Sequence, residues 1–282
     1  MPARLLSIPF IIGIISCLYV AWESDESYAI YILPLAIILV IIYILQPQID
    51  WWWYSKRPPE LDPPLIRMLD RFIGFYAPLN PSQKLRFRQR VAMFMMAHEF
   101  IPKGFEEVPE DVQCVVAANA VQMTFGKEEY LFPKFEQIVV YPLPFPSPQF
   151  PKRRHASEIY LEDGVLLFSA KQLIAGTFNP AKNFNICLYE YAKVYRITYP
   201  EEVFPTYDNF IWEKLEAISG LRRAYIEAYI GLEKIDVQAV SIALFFSRPI
   251  QFKAILPQAY EIIGRAFHLD PANIEFPVVR IV

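Results

Sequence analysis

Two long uncharged apolar runs near the N-terminus constrain the fold of this chain more than any other feature. They are LLSIPFIIGIISCLYVAW (Leu5–Trp22) and YAIYILPLAIILVIIYIL (Tyr28–Leu45). As a helix, each run would span about 27 Å, which is close to the thickness of the hydrocarbon core of a bilayer. The polar connection ESDES (Glu23–Ser27) is so short that the two helices must run antiparallel. We therefore predict a two-helix transmembrane hairpin within residues 1–50, because both runs are too long and too uniformly apolar for a buried hairpin of a soluble protein.

The basic residues around these runs predict how the hairpin is oriented. Arg4 precedes the first run, and Lys56 and Arg57 follow the second, whereas the connection carries no basic residue. By the positive-inside rule, both ends of the hairpin face the cytoplasm. We therefore expect a two-pass protein of the inner (cytoplasmic) membrane, with the lipid bilayer as one partner. An alternative is that IISC (Ile14–Cys17) is a lipoprotein cleavage box, and a lipidated Cys17 would reverse this topology.

The segment 51–64 is predicted to be a juxtamembrane linker. WWWY (Trp51–Tyr54) is typical of an aromatic belt at the membrane interface, and the proline-rich RPPELDPP (Arg57–Pro64) predicts a semi-rigid, extended spacer. Residues 65–282 are then expected to form a soluble domain that faces the cytoplasm close to the membrane.

The composition of the chain excludes several classes of function. Nucleic-acid-binding domains usually carry a basic excess, whereas these 282 residues have a formal net charge of -3, so no nucleic-acid partner is expected. Neither a GxGxxG nor a Walker-type motif is present, which argues against a glycine-rich phosphate loop. The cysteines Cys17, Cys114 and Cys187 match neither a disulfide framework nor a zinc ribbon.

The order of predicted elements beyond residue 65 indicates an α+β fold, mostly helical with a small sheet. Start signals, turn signals and apolar periodicity define these elements. The predicted helices span about 80–100, 110–126, 183–197, 208–219, 221–231, 234–247 and 257–267, and the predicted strands span 138–146 and, in two runs about an Asp163-Gly164 turn, 158–170.

The predicted helix Phe184–Ile197 (FNICLYEYAKVYRI) carries the most informative pattern. Its apolar residues repeat at helical spacing and predict one buried stripe. Tyr189 and Lys193 are four residues apart, so they project together from an adjacent face, with Glu190 beside them. In zinc peptidases the same spacing carries the motif HExxH, in which two neutral imidazoles bind Zn²⁺ and the glutamate activates a bound water.

Around this helix the sequence resembles the Mlc titration factor A family of zincin-type zinc peptidases. The segment NPAKNFNICLYEYAKVYRI (Asn179–Ile197) is similar to a family segment of the form NPxxxxNLGLHEFAHALRL. GVLLFSAKQLIAG (164–176) and IDVQAVSIALFFSRPIQFKAILPQAYEII (235–263) resemble the blocks that precede and follow the metal-binding helix. The resemblance covers most of residues 80–270 and implies a zincin-like fold for the domain.

The resemblance also implies roles for individual residues and shows where this chain departs from the family. Glu190 falls on the general base, which is retained but is expected to be inactive. Tyr189 and Lys193 fall on the two zinc-binding histidines, and Asp236 falls on the acidic third ligand, one methylene shorter. An ammonium has no lone pair and repels Zn²⁺, and a phenol with a pKa of about 10 must ionise before it ligates well. We therefore expect a degenerate site that binds no metal.

Two arrangements of Lys193 are open. Either its ammonium replaces the zinc ion and pairs with both Glu190 and Asp236, or it forms an ordinary i,i+3 surface pair with Glu190. His155 and His268 are isolated in the sequence, and neither is expected to restore a metal site.

Three functions are compatible with these observations. In the first, the protein is a membrane-anchored, non-catalytic homologue of a zinc peptidase that needs no cofactor and binds a peptide or protein partner. Zincin-type enzymes hold substrate as an added strand at a sheet edge, and the resemblance points to the strand before the helix as that edge. That candidate edge consists of Gly164, Val165, Leu166, Leu167 and Phe168. In the second, the protein is an active enzyme, either a zinc-dependent metallopeptidase with an atypical ligand set or one in which Lys193 and Glu190 act in acid–base catalysis. In the third, it is a structural membrane protein.

Overall fold

The chain forms two compact units, Met1–Pro59 and Glu60–Val282. The computed structural model describes residues 2–24, 26–208, 210–232 and 234–273. Helices dominate both units, and the sheet seen among these residues belongs to the second unit.

The first unit is helical, and its two long helical segments are apolar. In chain order it contains α1 (Pro2–Glu23), a 3-10 helix (Glu26–Tyr31), α2 (Ile32–Ile44) and α3 (Gln46–Lys56). Two segments, Pro2–Glu23 and Ser27–Ile44, are long and apolar enough to cross a membrane. Most of their large apolar side chains are exposed, which is the arrangement that a lipid environment favours. The two predicted runs are therefore helical, and the second begins in the tighter 3-10 form.

The segment predicted as an extended linker contains more helix than expected. α3 continues to Lys56, and α4 of the second unit already begins at Pro63. The intervening residues 57–62 have no regular secondary structure.

The second unit contains ten helices and four strands among its described residues. They are α4 (Pro63–Phe72), α5 (Pro81–Ala97), β1 (Glu99–Pro102), α6 (Glu110–Met123), β2 (Gln137–Tyr141), β3 (Ser157–Tyr160), β4 (Val165–Ser169), α7 (Ala170–Phe178), α8 (Ile186–Thr198), α9 (Ile211–Ser219), α10 (Arg223–Ile230), α11 (Val237–Ser247), α12 (Pro249–Ile255) and α13 (Pro257–Phe267). This mostly helical unit with a small sheet confirms the predicted α+β class. The sequence did not predict β1, α4, α7 or α12.

The four strands form one mixed sheet in the order β1-β2-β4-β3. β1, β2 and β4 are parallel, and β3 pairs with β4 in the antiparallel direction. β3 and β4 form a hairpin whose turn contains Gly164, with a φ of +64°. A Cβ at this residue would lie 1.7 Å from the carbonyl oxygen of Lys134, so the turn requires glycine.

The sheet order corrects the predicted peptide-binding edge. The strand formed by Val165, Leu166, Leu167 and Phe168 has β2 on one side and β3 on the other, and Gly164 lies in the turn before it. The prediction was wrong because the order of strands along the chain does not give their order in the sheet. Within the described ranges, the edges of the sheet are β1 and β3.

The helix α8 lies in the centre of the core. Every residue from Ile186 to Ala192 is buried, and α6, α7 and α11 pack against this helix. Its N-terminus is fixed by Asn185, whose side chain accepts the N–H of Leu188 at 3.0 Å and donates to Asn119 Oδ1 of α6 at 2.9 Å. Asn119 in turn donates to Thr177 Oγ1 of α7 at 3.1 Å. These amide groups fix the orientation of α8 and therefore of the side chains on its face.

Candidate functional site

The face of α8 next to β3 brings the predicted site residues together. Tyr189, Glu190 and Lys193 follow one another around the helix, and Asp236 approaches them from the N-terminus of α11. The backbone N–H of Asp236 donates to Tyr189 Oη at 3.0 Å. The clustering that the family resemblance implied is therefore present, although Asp236 is more than forty residues away in the sequence.

The carboxylate of Glu190 is fully buried and engaged at both oxygens. Its Oε1 accepts the hydroxyl of Ser157 on β3 at 2.7 Å, and its Oε2 forms an ion pair with Lys193 Nζ. A buried carboxylate is stable only when a counter-charge and hydrogen bonds replace the lost water. Ser157 and Lys193 provide both, and the hydrogen bond from Ser157 also links the edge strand to the helix.

Lys193 occupies a setting that differs from both arrangements left open by the sequence. Its ammonium lies 4.7 Å from the centroid of the Tyr189 ring, besides its contact with Glu190. The pair with Glu190 is buried rather than superficial, because the lysine side chain is 18% exposed and the glutamate side chain 0%. Asp236 pairs with Arg196 instead. Lys193 therefore contacts one aromatic ring and one acid, rather than two acids.

Asp236 is committed to two other contacts. Its Oδ1 accepts the N–H of Ala239 at 3.0 Å and thereby caps α11, and its Oδ2 lies 2.5 Å from Arg196 Nη1. Arg196 was not predicted as part of the site. It lies three residues after Lys193 on α8, so helical spacing was the available signal that it shares this face.

These residues do not fit a zinc ion. Burial, together with the nearby Glu190 carboxylate, raises the pKa of Tyr189 well above its usual range, so the phenol stays protonated. Lys193 presents a cation, and both oxygens of Asp236 are already engaged. Among residues 2–24, 26–208, 210–232 and 234–273, no group of three or more His, Cys, Asp or Glu side chains could hold a metal. The expectation that no cofactor is needed stays a prediction.

The three histidines of the chain lie in other environments. His98 Nδ1 lies 2.8 Å from the carbonyl oxygen of Phe94, and its burial lowers its pKa to about 4. His155 Nε2 lies 2.9 Å from Glu158 Oε2, on the face of the sheet opposite to Ser157, because neighbouring strand residues point to opposite sides. His268 is exposed.

An open cleft lies beside the site. It has a volume of about 530 Å³. Its lining comes from the end of β3, from α8, from the loop after α8 and from the start of α11: Ile159, Leu161, Lys193, Arg196, Ile197, Pro200, Glu202, Phe204, Asp236 and Gln238. Leu161 and Ile197 are exposed apolar side chains, 60% and 42% accessible. In the part of the chain that the structure describes, β3 has a neighbouring strand on one side only, so its other edge is unpaired.

The fold and this site define a class. A helix that carries a buried glutamate, packed beside an antiparallel edge strand of a small mixed sheet, is the architecture of a zincin-like metallopeptidase. The chain belongs to the glucose-regulated metallo-peptidase M90 family, whose sequence model matches residues 50–194. This match confirms the resemblance to the Mlc titration factor A family, and it includes Tyr189, Glu190 and Lys193 but not Asp236.

A second comparison finds similarity over a shorter stretch. The chain is 26% identical over 117 residues to the uncharacterized protein slr2042 of Synechocystis sp. (strain ATCC 27184 / PCC 6803 / Kazusa). The match covers 39% of this chain and 42% of that protein, so the chain spans less than half the length of this relative.

Proposed function

We propose that this protein is a membrane-anchored, non-catalytic member of the metallopeptidase family that holds an extended peptide or a segment of a partner protein in the cleft beside β3. One observation carries the proposal. The side chains at the metal-binding positions hold one another and their neighbours in place, while the adjacent cleft stays open.

The burial of Glu190 supports the absence of peptidase activity. A general base must reach the water or the substrate whose proton it takes. Glu190 has no exposed surface, and both of its carboxylate oxygens are engaged, by Ser157 and by Lys193. The same burial argues against an acid–base role for the Lys193–Glu190 pair.

The free edge of β3 supports the binding of an extended chain. Added strands bind mainly through backbone hydrogen bonds, which need no metal, and side-chain pockets give specificity. Leu161, Ile197 and Phe204 offer apolar walls, and Lys193 and Arg196 lie at the polar side of the cleft. The occupant that fits is a peptide in β conformation with apolar side chains at alternate positions.

The two apolar helices support anchoring in a bilayer. Arg4, Lys56 and Arg57 flank the two apolar runs, and Lys and Arg near the ends of spanning segments favour the cytoplasmic side. We therefore place the protein in the inner membrane with its second unit in the cytoplasm.

The first test measures zinc and hydrolysis on the full chain purified in detergent. With zinc supplied at neutral pH, we expect well under one zinc per chain and no cleavage of a peptide library. One tightly bound zinc per chain, or cleavage that Glu190→Gln abolishes, would overturn the non-catalytic assignment.

The second test measures peptide binding. Peptides selected on the full chain should bind about tenfold more weakly, or worse, to Leu161→Asp and Ile197→Asp, because each change removes apolar contact area from the cleft. Ile250→Asp is the matched control, since Ile250 is a 71% exposed apolar residue that does not line the cleft. Equal weakening in all three variants, or no selected peptide at all, would contradict the proposal.

A further inference from the structure

The helices α4 and α5 carry a strong excess of positive charge. Between Pro63 and Ala97 the sequence contains six basic residues and one acidic residue, whereas the whole chain has a formal net charge of -3. Charge of one sign concentrated in one segment of an acidic protein predicts a partner of opposite charge.

Four of these basic residues share one surface. Arg67 and Arg71 are exposed and lie four residues apart on α4, with Asp70 between them. Asp70 Oδ1 lies 2.7 Å from Lys84 Nζ, which brings this part of α4 next to the first turn of α5. Arg88 lies one helical turn after Lys84, and both cations lie close to Tyr76. Burial raises the pKa of Tyr76, and the two cations oppose this increase.

We call Arg67, Arg71, Lys84 and Arg88 the basic face. Its four cations meet one acid, Asp70, which leaves a net charge of about three. Within the described residues, Arg67, Arg71 and Arg88 have no ion-pair partner. An apolar side chain lies beside the basic face: Leu85 is on α5 between Lys84 and Arg88 and is 46% exposed.

The position of the basic face in the chain favours one occupant. Six residues, 57–62, connect α3 to α4, and an extended connection of that length spans about 20 Å at most. If the apolar helices are embedded in a bilayer, α4 stays within reach of the membrane surface. The cytoplasmic leaflet carries anionic lipids, and each Lys or Arg near that surface adds to the attraction.

We propose that the basic face binds the anionic headgroups of the bilayer in which the protein is anchored. The contact would hold the second unit against the membrane, with Leu85 at the level of the headgroups. This inference rests on the membrane anchoring within the proposed function, but not on the peptide-binding cleft.

Energy transfer from the basic face to the lipid tests the inference. A fluorescent donor is attached to the full chain at Leu85→Cys, in a Cys17→Ser background that leaves only the buried Cys114 and Cys187. The chain is reconstituted in liposomes that carry a headgroup-labelled acceptor. Phosphatidylcholine is compared with phosphatidylcholine mixed with phosphatidylglycerol. We expect higher transfer in the anionic liposomes, and a return to the phosphatidylcholine value when salt is raised from about 0.1 M to about 0.5 M.

Two triple variants that remove the same amount of charge test whether the transfer depends on the basic face or on the net charge of the chain. Arg67→Gln/Arg71→Gln/Arg88→Gln should lower the transfer in anionic liposomes to the phosphatidylcholine value. Lys214→Gln/Arg222→Gln/Arg265→Gln removes the same charge from exposed residues elsewhere and should leave the transfer unchanged. Equal transfer in both lipids, or equal loss in both triple variants, would overturn the inference.

Flotation of the full chain distinguishes a failure of the inference about the basic face from a failure of membrane anchoring. A chain that floats with phosphatidylcholine liposomes is anchored by its apolar helices. A chain that floats only with anionic liposomes would overturn that anchoring and support the basic face, and a chain that floats with neither would overturn both.

Discussion

Two places in the second unit each carry part of an HExxH motif: the first has the histidine and the glutamate, and the second has only the glutamate. At the end of α5, His98 is followed by Glu99, whereas on α8 the histidine position is Tyr189 and the glutamate Glu190 remains. His98 is buried against Phe94, and Glu99 is exposed. On α8 the glutamate is the buried partner, and Lys193 provides its counter-charge.

The difference shows that burial and partners, rather than residue type, decide what each pair can do. The His98 ring has a lowered pKa and sits in the core as a neutral group, while its glutamate is held by Gln137 at 3.0 Å. The Glu190 carboxylate lies in the core with the Lys193 ammonium as its neighbour. The first place holds a neutral ring in the core, and the second holds a buried ion pair. Four predictions, ordered by the size of the expected effect, test this difference.

The largest effect is expected for Lys193→Met. This change leaves the Glu190 carboxylate buried without a counter-charge and should lower the free energy of unfolding by about 3–5 kcal/mol at neutral pH. Chemical denaturation of the full chain, followed by circular dichroism, measures it. The double variant Glu190→Gln/Lys193→Met removes both charges and should regain most of the loss. A loss below about 1 kcal/mol in the single variant would mean that the pair is solvated like a surface ion pair.

The second prediction concerns the pH dependence that His98 causes. In the unfolded chain this histidine binds a proton near pH 6.5, whereas burial lowers its folded pKa to about 4. Between these values the unfolded state binds more protons, so stability should fall as the pH drops from about 6.5 to 4, by up to about 3 kcal/mol. His98→Phe should lack this contribution, and the difference between the two stability–pH curves isolates it. Parallel curves would contradict the assignment.

The third prediction tests the hydrogen bond that links β3 to α8. Ser157→Ala removes the hydroxyl that donates to the Glu190 carboxylate and should cost about 2 kcal/mol, because hydrogen bonds to charged groups are the stronger ones. Ser169→Ala is the matched control. Its hydroxyl also lies on a buried strand residue but donates to the neutral Gln172 at 2.6 Å, so about 1 kcal/mol is expected. Denaturation midpoints give both values, and the reverse order would exclude a charged Glu190.

The smallest effect is expected at Asp236. Asp236→Asn keeps the oxygen that caps α11 and removes the ion pair with the half-exposed Arg196, so we expect a loss of less than about 1 kcal/mol. Asp236→Ala removes the cap as well and should cost about 1 kcal/mol more. If both variants lost the same stability, the capping role of Asp236 would be wrong.

Much of the fold could be predicted because the signals are local. The apolar runs, the capping residue Asn80 and the Asp163-Gly164 turn each act within a few residues, and the helices and the hairpin followed from them. β1 was missed because four residues ending in Pro102 give too short a pattern. α12 was missed because it has only seven residues, begins with Pro249 and ends two residues before Pro257.

Tyr189, Glu190, Lys193 and Asp236 could be predicted as neighbours, but Ser157, Arg196 and the contacts they make could not. The family resemblance correctly placed Tyr189, Glu190 and Lys193 on one helix and Asp236 nearby. The hydrogen bond from Ser157 to Glu190 joins residues 33 positions apart, and the ion pair of Arg196 with Asp236 joins residues 40 apart. Such pairings depend on how β3, α8 and α11 pack together, for which the sequence has no local signal.

Under the proposed function, the contacts of Lys193 also make the gain of a metal site by single substitutions difficult. A histidine at Lys193 alone would remove the full charge that stabilises Glu190, and a histidine at Tyr189 alone would still face the ammonium. Asp236 would in addition have to be released from Arg196. Each single step is unfavourable before the complete ligand set exists. The ammonium is covalently attached, so neither chelation nor zinc starvation of the cell can remove it, and the domain should persist unchanged where a metal-dependent relative would lose its ion.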